Sequence, residues 1–262
     1  MIPFIKELIL RNETLFYFGL LNLVFAMLCL ILSFTTSTQV MGVSAWIKPF
    51  KFALSTTLYL WAMAWFCHYL PHFNISLFNS VNLVLFTFEV GYIAIQAQKG
   101  QLSHFNLSTP VYATLYSLMA LAATLITIYA AYVGILFFSE SLPSLPTYYL
   151  WSVRLGIVLF VIFSFEGFVM GSRLTHTIGG PDGEAGIPIL NWSTKYGDPR
   201  IAHFIGMHAL QIIPFLSFYI FKNDKLVFVI SFLYFILALF TLIQALGGKP
   251  LFKNKNNIEQ RV

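Results

Sequence analysis

The chain contains 262 residues, of which 58% are apolar and only 10% are charged, and its formal net charge is +5. Soluble globular domains carry about 25% charged residues, so this composition excludes that class and predicts one all-α transmembrane domain over residues 1–262. Cys29 and Cys67 lie inside apolar runs without a C-x-x-C pair, which gives no support to a dithiol redox site or a thiolate zinc site.

Seven apolar runs are long enough to cross a hydrocarbon core about 30 Å thick, for which a helix needs about 20 residues. They predict a seven-transmembrane-helix bundle with helices near 14–36, 49–70, 76–98, 110–138, 149–171, 199–221 and 225–247. Ahead of them, Ile2, Ile5, Leu8 and Ile9 share one helical face, which predicts a short helix lying in the membrane interface. The tail, 248–262, is polar and is expected to be frayed.

An odd number of crossings places the two termini on opposite sides of the membrane. We call side B the face that holds the loops 37–48, 99–109 and 172–198 and the C-terminus, and side A the other face. Ten of the fifteen Lys and Arg residues fall on side B, since only Lys6, Arg11, Arg154, Lys222 and Lys225 fall on side A. The positive-inside rule then predicts a bacterial inner-membrane protein with its N-terminus outside and its C-terminus cytoplasmic.

Titratable residues concentrate between Gly171 and Gln211, a segment with three of the six His and three of the ten acids. Such groups are expensive near lipid, so we expect a functional site here. The connection 172–198 is predicted to be one long loop between helices 5 and 6, which favours a functional role. Asn191 and Trp192 follow an apolar stretch in it, and we interpret this part as a lid or re-entrant cover.

Two lysines stand where a helix does not favour them. Helix 2 begins WIKPFKF, so Lys48 and Lys51 lie in the first turn, against the positive end of the helix dipole. Snorkelling lysines explain one such residue, whereas two indicate a negative group nearby. The candidate anion-binding or substrate-binding residues are Lys48, Lys51, Arg173, Arg200, Asn191 and Trp192.

Two acids lie deep in predicted helices. Asn82, Glu89 and Gln96 form a polar stripe along helix 3, and Glu166 lies in helix 5. Both Glu89 and Glu166 are candidate catalytic acids or bases. The alternative is a pair of structural ion bridges, with Glu89 bonded to Lys48 or Lys51 and Glu166 bonded to Arg173.

Four of the six histidines fall on side B and are candidate metal ligands: His104, His176, His203 and His208. His203 lies in the first turn of helix 6, where the dipole favours the neutral imidazole that a metal or a general base requires. His208 follows five residues later, about 140° around the helix, so we expect different roles for the two. His203 is predicted to be the ligand or catalytic base that meets the substrate, and His208 a deeper residue beside Gln211.

The segments WIKPFKF and SHFN and the spaced pattern NW…GD.R.AHF.G.H resemble an uncharacterised group of bacterial multi-pass membrane proteins. The resemblance covers most of the chain and implies a multi-pass membrane protein, but it brings no activity with it. Seven-helix hydrolases related to ceramidases are a poor match, because they use an H-x-x-x-H pair and His203 and His208 are spaced differently. Helix 7 has no central lysine, which argues against a retinal protein.

Three functions remain open from the sequence. The first is a membrane-embedded enzyme, metal-assisted or acid–base, that acts on an amphipathic, anionic, lipid-like substrate. The second is a b-type haem redox protein with two axial histidines, and the third is a proton-coupled transporter or sensor. The expected cofactor is therefore a divalent metal such as Zn²⁺ or haem b. The expected partners are the lipid bilayer and an anionic small molecule or lipid, and not nucleic acid.

Overall fold

The structure, a computed structural model, describes residues 2–183 and 186–252. Within these ranges the chain is mostly helical, with nine α-helices and one antiparallel hairpin. The helices are α1 (Ile2–Arg11), α2 (Glu13–Thr35), α3 (Ile47–Cys67), α4 (Ile75–Gln98), α5 (Pro110–Ser139), α6 (Thr147–Glu166), α7 (Phe168–Arg173), α8 (Arg200–Tyr219) and α9 (Asp224–Leu246). The hairpin joins β1 (Gln39–Val40) to β2 (Val43–Ser44), with Gln39 opposite Ser44. The predicted frayed tail lies outside the described residues from position 253 onward.

Six described helical segments are long and apolar enough to cross a membrane: α2, α4, α5, α6 together with α7, α8 and α9. An all-α, multi-pass membrane protein is therefore the class that this fold supports. The second predicted span, α3, has 21 residues but does not belong to this group. The reason lies in its sequence, because Lys48, Lys51 and the run Ser55–Thr57 interrupt its apolar residues.

Short polar side chains define where several helices begin. The side-chain oxygens of Asn12, Asn74, Thr109 and Asn223 accept hydrogen bonds from the backbone N–H groups three residues further on, at the starts of α2, α4, α5 and α9. Each satisfies an N–H group that would otherwise lack a partner at a helix N-terminus. After Thr109, Pro110 occupies the first helical position, where its missing N–H leaves no donor without a partner.

The starts of α2 and α4 lie at the same end of the bundle. The side-chain amides of Asn12 and Asn79 exchange hydrogen bonds of 2.9 and 3.0 Å. Arg11 Nη1 donates to the carbonyl of Trp65, two residues before the end of α3. The chain therefore returns along α3 to the end where α2 began.

The C-terminal ends of α5 and α8 and the N-terminal ends of α6 and α9 lie at the same end of the bundle. Thr147 Oγ1 donates to Asp224 Oδ1 at 3.0 Å, which joins the starts of α6 and α9. Ser217 Oγ donates to the carbonyl of Tyr148, and Tyr149 packs edge-on against Tyr69. This end is side A, and the helices run alternately toward and away from it.

Most of the apolar core lies between these ends. A cluster of buried side chains that includes Leu60, Met63, Phe78 and Phe137 joins α1 through α6 and α8. The closest helix pairing is α6 against α8, where a Cβ at Gly206 would overlap the Phe163 ring. Toward side B the packing is looser and a cavity opens.

One detail of the helices differs from the sequence prediction. The predicted helix 149–171 is broken at Gly167, so α6 ends at Glu166 and a separate short helix, α7, runs from Phe168 to Arg173. The chain then crosses side B without a helix or a paired strand among its described residues 174–199. One isolated bridge, between Ile178 and Gly197, ties this segment together.

Candidate functional site

A cavity of about 500 Å³ lies inside the side B half of the bundle. Its walls come from α3, α4, α5, α6 and α8, and its side B end is covered by the hairpin, by residues 101–105 and by parts of the segment 174–199. It reaches Thr127, which at 1.5 Å per residue lies about 25 Å along α5 from Pro110. The cavity is therefore long and is apolar over most of its depth.

Three of the four predicted anion-binding cations line the cavity, and each has a different set of partners. Arg200 donates from Nε and Nη2 to the buried carboxylate of Asp198, at 2.8 and 2.6 Å. Lys51 Nζ donates to the carbonyl of Leu190 at 2.9 Å. Lys48 Nζ lies 6.0 Å from the centre of the Phe52 ring and makes no hydrogen bond or ion pair with any described residue.

The predicted cover over the site is held by two of these cations. Lys51 bonds the carbonyl of Leu190, and Arg200 Nη2 bonds the carbonyl of Asn191 at 2.7 Å. Asn191 adopts a positive φ of 53° and accepts the Gly186 N–H on its side-chain oxygen. Trp192 packs edge-on against Phe204. Asn191 and Trp192 both line the cavity, as residues of a cover would.

All four side B histidines line the same cavity, and each uses Nδ1 for a bond to the protein. Their partners are Asp182 Oδ2 for His176, the carbonyl of Phe163 for His203, Gln211 Oε1 for His208 and Ser103 Oγ for His104. A carboxylate, a carbonyl and an amide oxygen only accept hydrogen bonds, so Nδ1 is the donor in the first three. In their neutral forms these imidazoles keep the Nε2 lone pair free for a proton or a ligand.

His176 and Asp182 form the tightest polar pair in the site, 2.6 Å apart. Asp182 Oδ2 also accepts the backbone N–H of His176 at 3.0 Å. Burial lowers the pKa of His176, and the positive charges of Lys48 and Arg200 lower it further, although the bond to Asp182 opposes this. Burial alone would raise the pKa of Asp182, but the hydrogen bonds from His176 outweigh it and hold that pKa well below its usual range. The resting pair is thus a carboxylate and a neutral imidazole.

His104 is the second imidazole held neutral at side B. It lies between the rings of Phe52 and Tyr116, with centroids 5.6 and 6.3 Å away. Burial lowers its pKa well below the ordinary value, and the charge of Lys48 adds to the shift. A neutral side chain in this position leaves Lys48 as the basic side chain beside it in the mouth of the cavity.

Deeper in the cavity, polar atoms lack partners. Glu89 is 6% exposed and its Oε1 has no hydrogen bond with a described residue, and the same holds for the hydroxyl of Tyr59, which is 4% exposed. Both side chains line the cavity. A buried polar atom without a partner costs about 1–3 kcal/mol, so a ligand that pairs with these atoms would recover that energy.

The structural ion pairs that the sequence allowed are absent among the described residues. Glu89 lies within 4.0 Å of neither Lys48 nor Lys51, and Arg173 is exposed and donates to the carbonyl of Val169 instead of Glu166. Arg173 therefore does not line the cavity with the other three predicted anion-binding cations. Its position at the end of the short helix α7, beyond the break at Gly167, turns it away from α6.

Glu166 occupies a position behind the cavity wall. Its Oε2 lies 3.5 Å from His203 Nδ1, but that nitrogen is already bonded to the carbonyl of Phe163 at 2.7 Å. Both carboxyl oxygens are buried without a hydrogen bond from the described residues. Of the three predicted catalytic residues, Glu89 and His203 thus face the cavity and Glu166 lies next to His203.

The four histidines do not form the predicted shared metal site. Among the described residues, no three His, Cys, Asp or Glu side chains come close enough to hold one ion. The Nδ1 bonds account for the separation of the four imidazoles. Each imidazole is oriented by its own partner, and the four partners lie in four different parts of the chain. A metal centre composed of His104, His176, His203 and His208 is therefore not supported.

Two residues of this site were missed from the sequence. Asp182 belongs to the tight turn Gly179–Gly183, and Asp is a common residue in such turns, so the sequence suggested only a structural role. Its contact with His176 forms only when the loop is folded. Tyr59 lies in an apolar stretch of α3 and looks like a core aromatic. The signal for Tyr59 is weak, but an acid six residues after a histidine in a long polar loop was a detectable pattern.

No family model matches this chain, and neither a curated protein nor a solved structure matches it. The function is therefore argued from the cavity itself.

Proposed function

We propose that this chain is a seven-span membrane enzyme that binds an amphipathic, lipid-like anion in the cavity and acts on it by acid–base chemistry. The observation that carries the proposal is Lys48, an uncommitted cation in the mouth of a deep apolar cavity. The two carboxylates whose charges act on Lys48 are those of Asp182 and Glu89. Asp182 is engaged by His176, and Glu89 lies more than 4.0 Å from Lys48 without forming an ion pair with it. An anionic headgroup supplies the missing partner, and its hydrocarbon chain fills the apolar depth.

The seventh span in this proposal is α3. It is 21 residues long, and it connects two helices, α2 and α4, whose starts lie together at side A. A segment that returns the chain from side B to side A between two crossing helices has to cross as well. Its polar residues face the cavity, where Lys51, Ser55, Thr56 and Tyr59 are found, and such placement is the usual one for polar groups inside membranes.

The acid–base groups in this proposal are the imidazoles with a free Nε2. Asp182 holds His176 with Nδ1 protonated, so Nε2 is available to accept a proton, and the carboxylate stabilises the imidazolium that results. His203 is oriented in the same way by the carbonyl of Phe163. Glu89 is the deep proton donor or acceptor, and Glu166 positions His203.

The proposal is tested first by binding. The purified protein is analysed by native mass spectrometry with a long-chain alkyl phosphate, and the wild-type chain is expected to bind it while Lys48→Met does not. Lys225→Met, which removes a side A lysine far from the cavity, is the control and should bind normally. Equal binding by all three proteins would contradict the anion site.

Catalysis is tested with the lipids that purify with the protein. A change in the mass of a lipid anion that the wild type produces and His176→Gln does not would identify the reaction. Binding without any chemical change over a range of lipid anions would instead point to a transporter or sensor.

A second candidate, a b-type haem protein, is favoured by one observation. Histidines that bind a metal usually donate their other ring nitrogen to the protein, and His176, His203 and His208 do so here. In this case two Nε2 atoms would ligate the iron, and Lys48, Lys51 and Arg200 would hold the propionates. An absorption spectrum of the purified protein decides between the candidates, because only haem gives a Soret band.

We further propose that the protein lies in a bacterial inner membrane with side B cytoplasmic and the N-terminus outside. The support is the excess of Lys and Arg on side B. Protease accessibility of tags at the two termini in sealed vesicles tests this orientation, and a protected N-terminal tag in right-side-out vesicles would reverse it.

A further inference from the structure

The seam between α5 and the α6–α7 pair is closed at both ends. Toward side A the helices touch, because a Cβ at Gly134 would lie only 2.8 Å from Ile157 Cγ2. Toward side B, a Cβ at Gly171 would lie 3.5 Å from the hydroxyl of Tyr116. Only the contact at Gly134 requires glycine, and the contact at Gly171 is of ordinary van der Waals length, so the seam is closed at both of these levels.

Between those two contacts the seam is open to the outside of the bundle. Ala123 on α5 and Phe165 and Phe168 on the other side are exposed at the protein surface, Phe168 by 53%. The same three residues line the cavity. Side chains that face both the exterior and the interior mark an opening through the wall, and the break of the helix at Gly167 lies next to it.

The opening lies at membrane depth. Ala123 is about 13 residues beyond the start of α5 at Pro110, or about 20 Å at 1.5 Å per residue. α5 has 30 residues and is about 45 Å long by the same rise, so Ala123 is near its middle. A hydrocarbon core about 30 Å thick surrounds that level. What meets the opening is therefore lipid hydrocarbon, and not water.

The route from water is covered in the same structure. Lys51 and Arg200 hold the carbonyls of Leu190 and Asn191 across the side B end of the cavity. Inside the opening, Ser164 Oγ is buried without a hydrogen-bond partner among the described residues, and it lines the cavity. The interior thus offers polar contacts to a molecule that arrives through a wall of the bundle.

We propose that the gap between α5 and α6–α7, bounded by Ala120, Ala123, Thr124, Ser164, Phe165 and Phe168, is a lateral portal through which a membrane-resident anionic lipid enters the cavity from the bilayer. The inference rests on the proposed function and narrows its ligand to a lipid that remains in the membrane. The acyl chain passes between Ala123 and the two phenylalanines, and the headgroup meets Lys48 near side B. The small side chains of Ala120 and Ala123 leave the space that this requires.

The test is photolabelling in vesicles. Phosphatidic acid with a diazirine on its acyl chain is mixed into phosphatidylcholine vesicles with the protein, and labelled cavity residues such as Phe160 and Met207 are mapped by mass spectrometry. Ala123→Trp fills the gap and should abolish this labelling. Leu125→Trp is the matched control, since Leu125 lies at the same depth, is 43% exposed and does not line the cavity.

A second probe separates the portal from the binding site. A water-soluble, short-chain alkyl phosphate with a diazirine should still label the cavity of Ala123→Trp, because it does not need the bilayer route. Lipid labelling that survives in Ala123→Trp would overturn the portal and leave the anion site intact. Absence of cavity labelling by either probe in the wild type would overturn the proposed function itself.

A reversible block covers the case in which Ala123→Trp does not fold. Ala123→Cys is folded first and then modified with benzyl methanethiosulfonate, while the native thiols Cys29 and Cys67 are buried. Labelling by the lipid should disappear on modification and return after reduction with dithiothreitol. Labelling that is indifferent to the modification would contradict the portal, and Leu125→Cys serves as the control.

Discussion

Side A and side B differ in whether every partly buried cation has an ion pair or hydrogen bond within the protein. At side A, Arg11 bonds Glu7 at 2.8 Å and lies over the Trp65 ring at 3.8 Å, and Arg154 donates to the carbonyl of Phe137 at 2.8 Å. Every one of these groups has a protein partner. At side B, Lys48 makes no hydrogen bond or ion pair with a described residue, its Nζ lies 6.0 Å from the centre of the Phe52 ring, and it lines a cavity. Because the side A arginines all have hydrogen-bond or ion-pair partners, we expect a lysine without one at side B to bind a negatively charged ligand.

Arg200→Ala is expected to lower the free energy of unfolding most, because it removes a side B cation that forms an ion pair. Asp198 is 1% exposed and would lose the guanidinium that neutralises it. Removal of one partner of a buried ion pair typically costs about 3–5 kcal/mol. Denaturant unfolding in detergent measures the free energy of unfolding, and a loss below about 1 kcal/mol would show that the pair is not needed for stability. Lys225→Ala on side A is the control.

Lys51→Met should have the next largest effect, because it releases the cover while the bundle stays folded. The bond from Lys51 Nζ to the carbonyl of Leu190 is charge-assisted, and such bonds contribute about 1.5–3 kcal/mol. Hydrogen exchange should rise at residues 187–192 and remain unchanged in α2 and α4. Exchange that rises uniformly along the chain would mean that Lys51 stabilises the bundle and not only the cover.

Acid is expected to destabilise side B before side A. The folded-state pKa of His104 and His176 lies below the unfolded value, so the unfolded chain binds more protons as the pH falls below about 6.5. Stability is therefore fully present above that pH and declines beneath it. Asp182 has a lowered pKa as well, and its contribution is lost only further into acid. The charged and titratable groups that face these imidazoles are Lys48, Arg200, Asp182 and His203.

The measurement is the unfolding temperature between pH 7.5 and 5. The double variant His104→Gln, His176→Gln should have a flatter profile than the wild type. His68→Gln, which changes an exposed histidine at side A, should leave the profile unchanged. If the double variant has the same dependence of unfolding temperature on pH as the wild type, groups other than these two histidines cause the acid sensitivity.

The helices could be predicted from the sequence more fully than the contacts of side B, and the reason is physical. Helix positions follow from long apolar runs and from caps such as Thr109, which are local properties, so all the predicted helices appear within a few residues. The number of membrane crossings does not follow from apolar runs alone, because α3 mixes Lys48, Lys51 and hydroxyl residues into its apolar run. The break at Gly167 was missed, since the surrounding residues are apolar on both sides.

The chemistry of side B depends on contacts between distant segments, and these were only partly predictable. Residue counting placed Glu89, Glu166, His104, His203 and His208 at one depth and predicted that they share one pocket. Four of the five line the cavity, and Glu166 lies behind its wall next to His203. It did not show that each imidazole is oriented by its own Nδ1 partner, nor that no three of the described His, Cys, Asp or Glu side chains come close enough to hold one ion. The contact between His176 and Asp182 requires the Gly179–Gly183 turn to close, and a one-dimensional pattern does not report that closure.

His203 and His208 are expected to differ in a smaller but measurable way. His203 holds the carbonyl of Phe163 at 2.7 Å, so His203→Ala leaves a backbone acceptor unpaired and removes the proposed base. His208 contacts Gln211 at 3.3 Å within the same helix, and Gln at position 208 can supply an equivalent donor. His203→Ala should therefore lose turnover of the lipid anion, whereas His208→Gln should keep most of it. Equal losses in the two variants would show that the two histidines do not have separate roles.

Lys48→Met is expected to change stability least of all. This result would distinguish Lys48 from the paired cations of side A. At side A, removing Arg11 breaks an ion pair and a ring contact, so Arg11→Met should lower the unfolding temperature. Lys48 has no ion pair among the described residues and only a distant ring contact, 6.0 Å from the Phe52 centroid, so replacing it with an apolar side chain of similar length mainly removes a cost of burial. The unfolding temperature of Lys48→Met should equal or exceed that of the wild type, while binding of a long-chain alkyl phosphate is lost. A fall in stability comparable with that of Arg11→Met would mean that Lys48 is a structural residue, and the two halves of the bundle would then not differ in the way proposed.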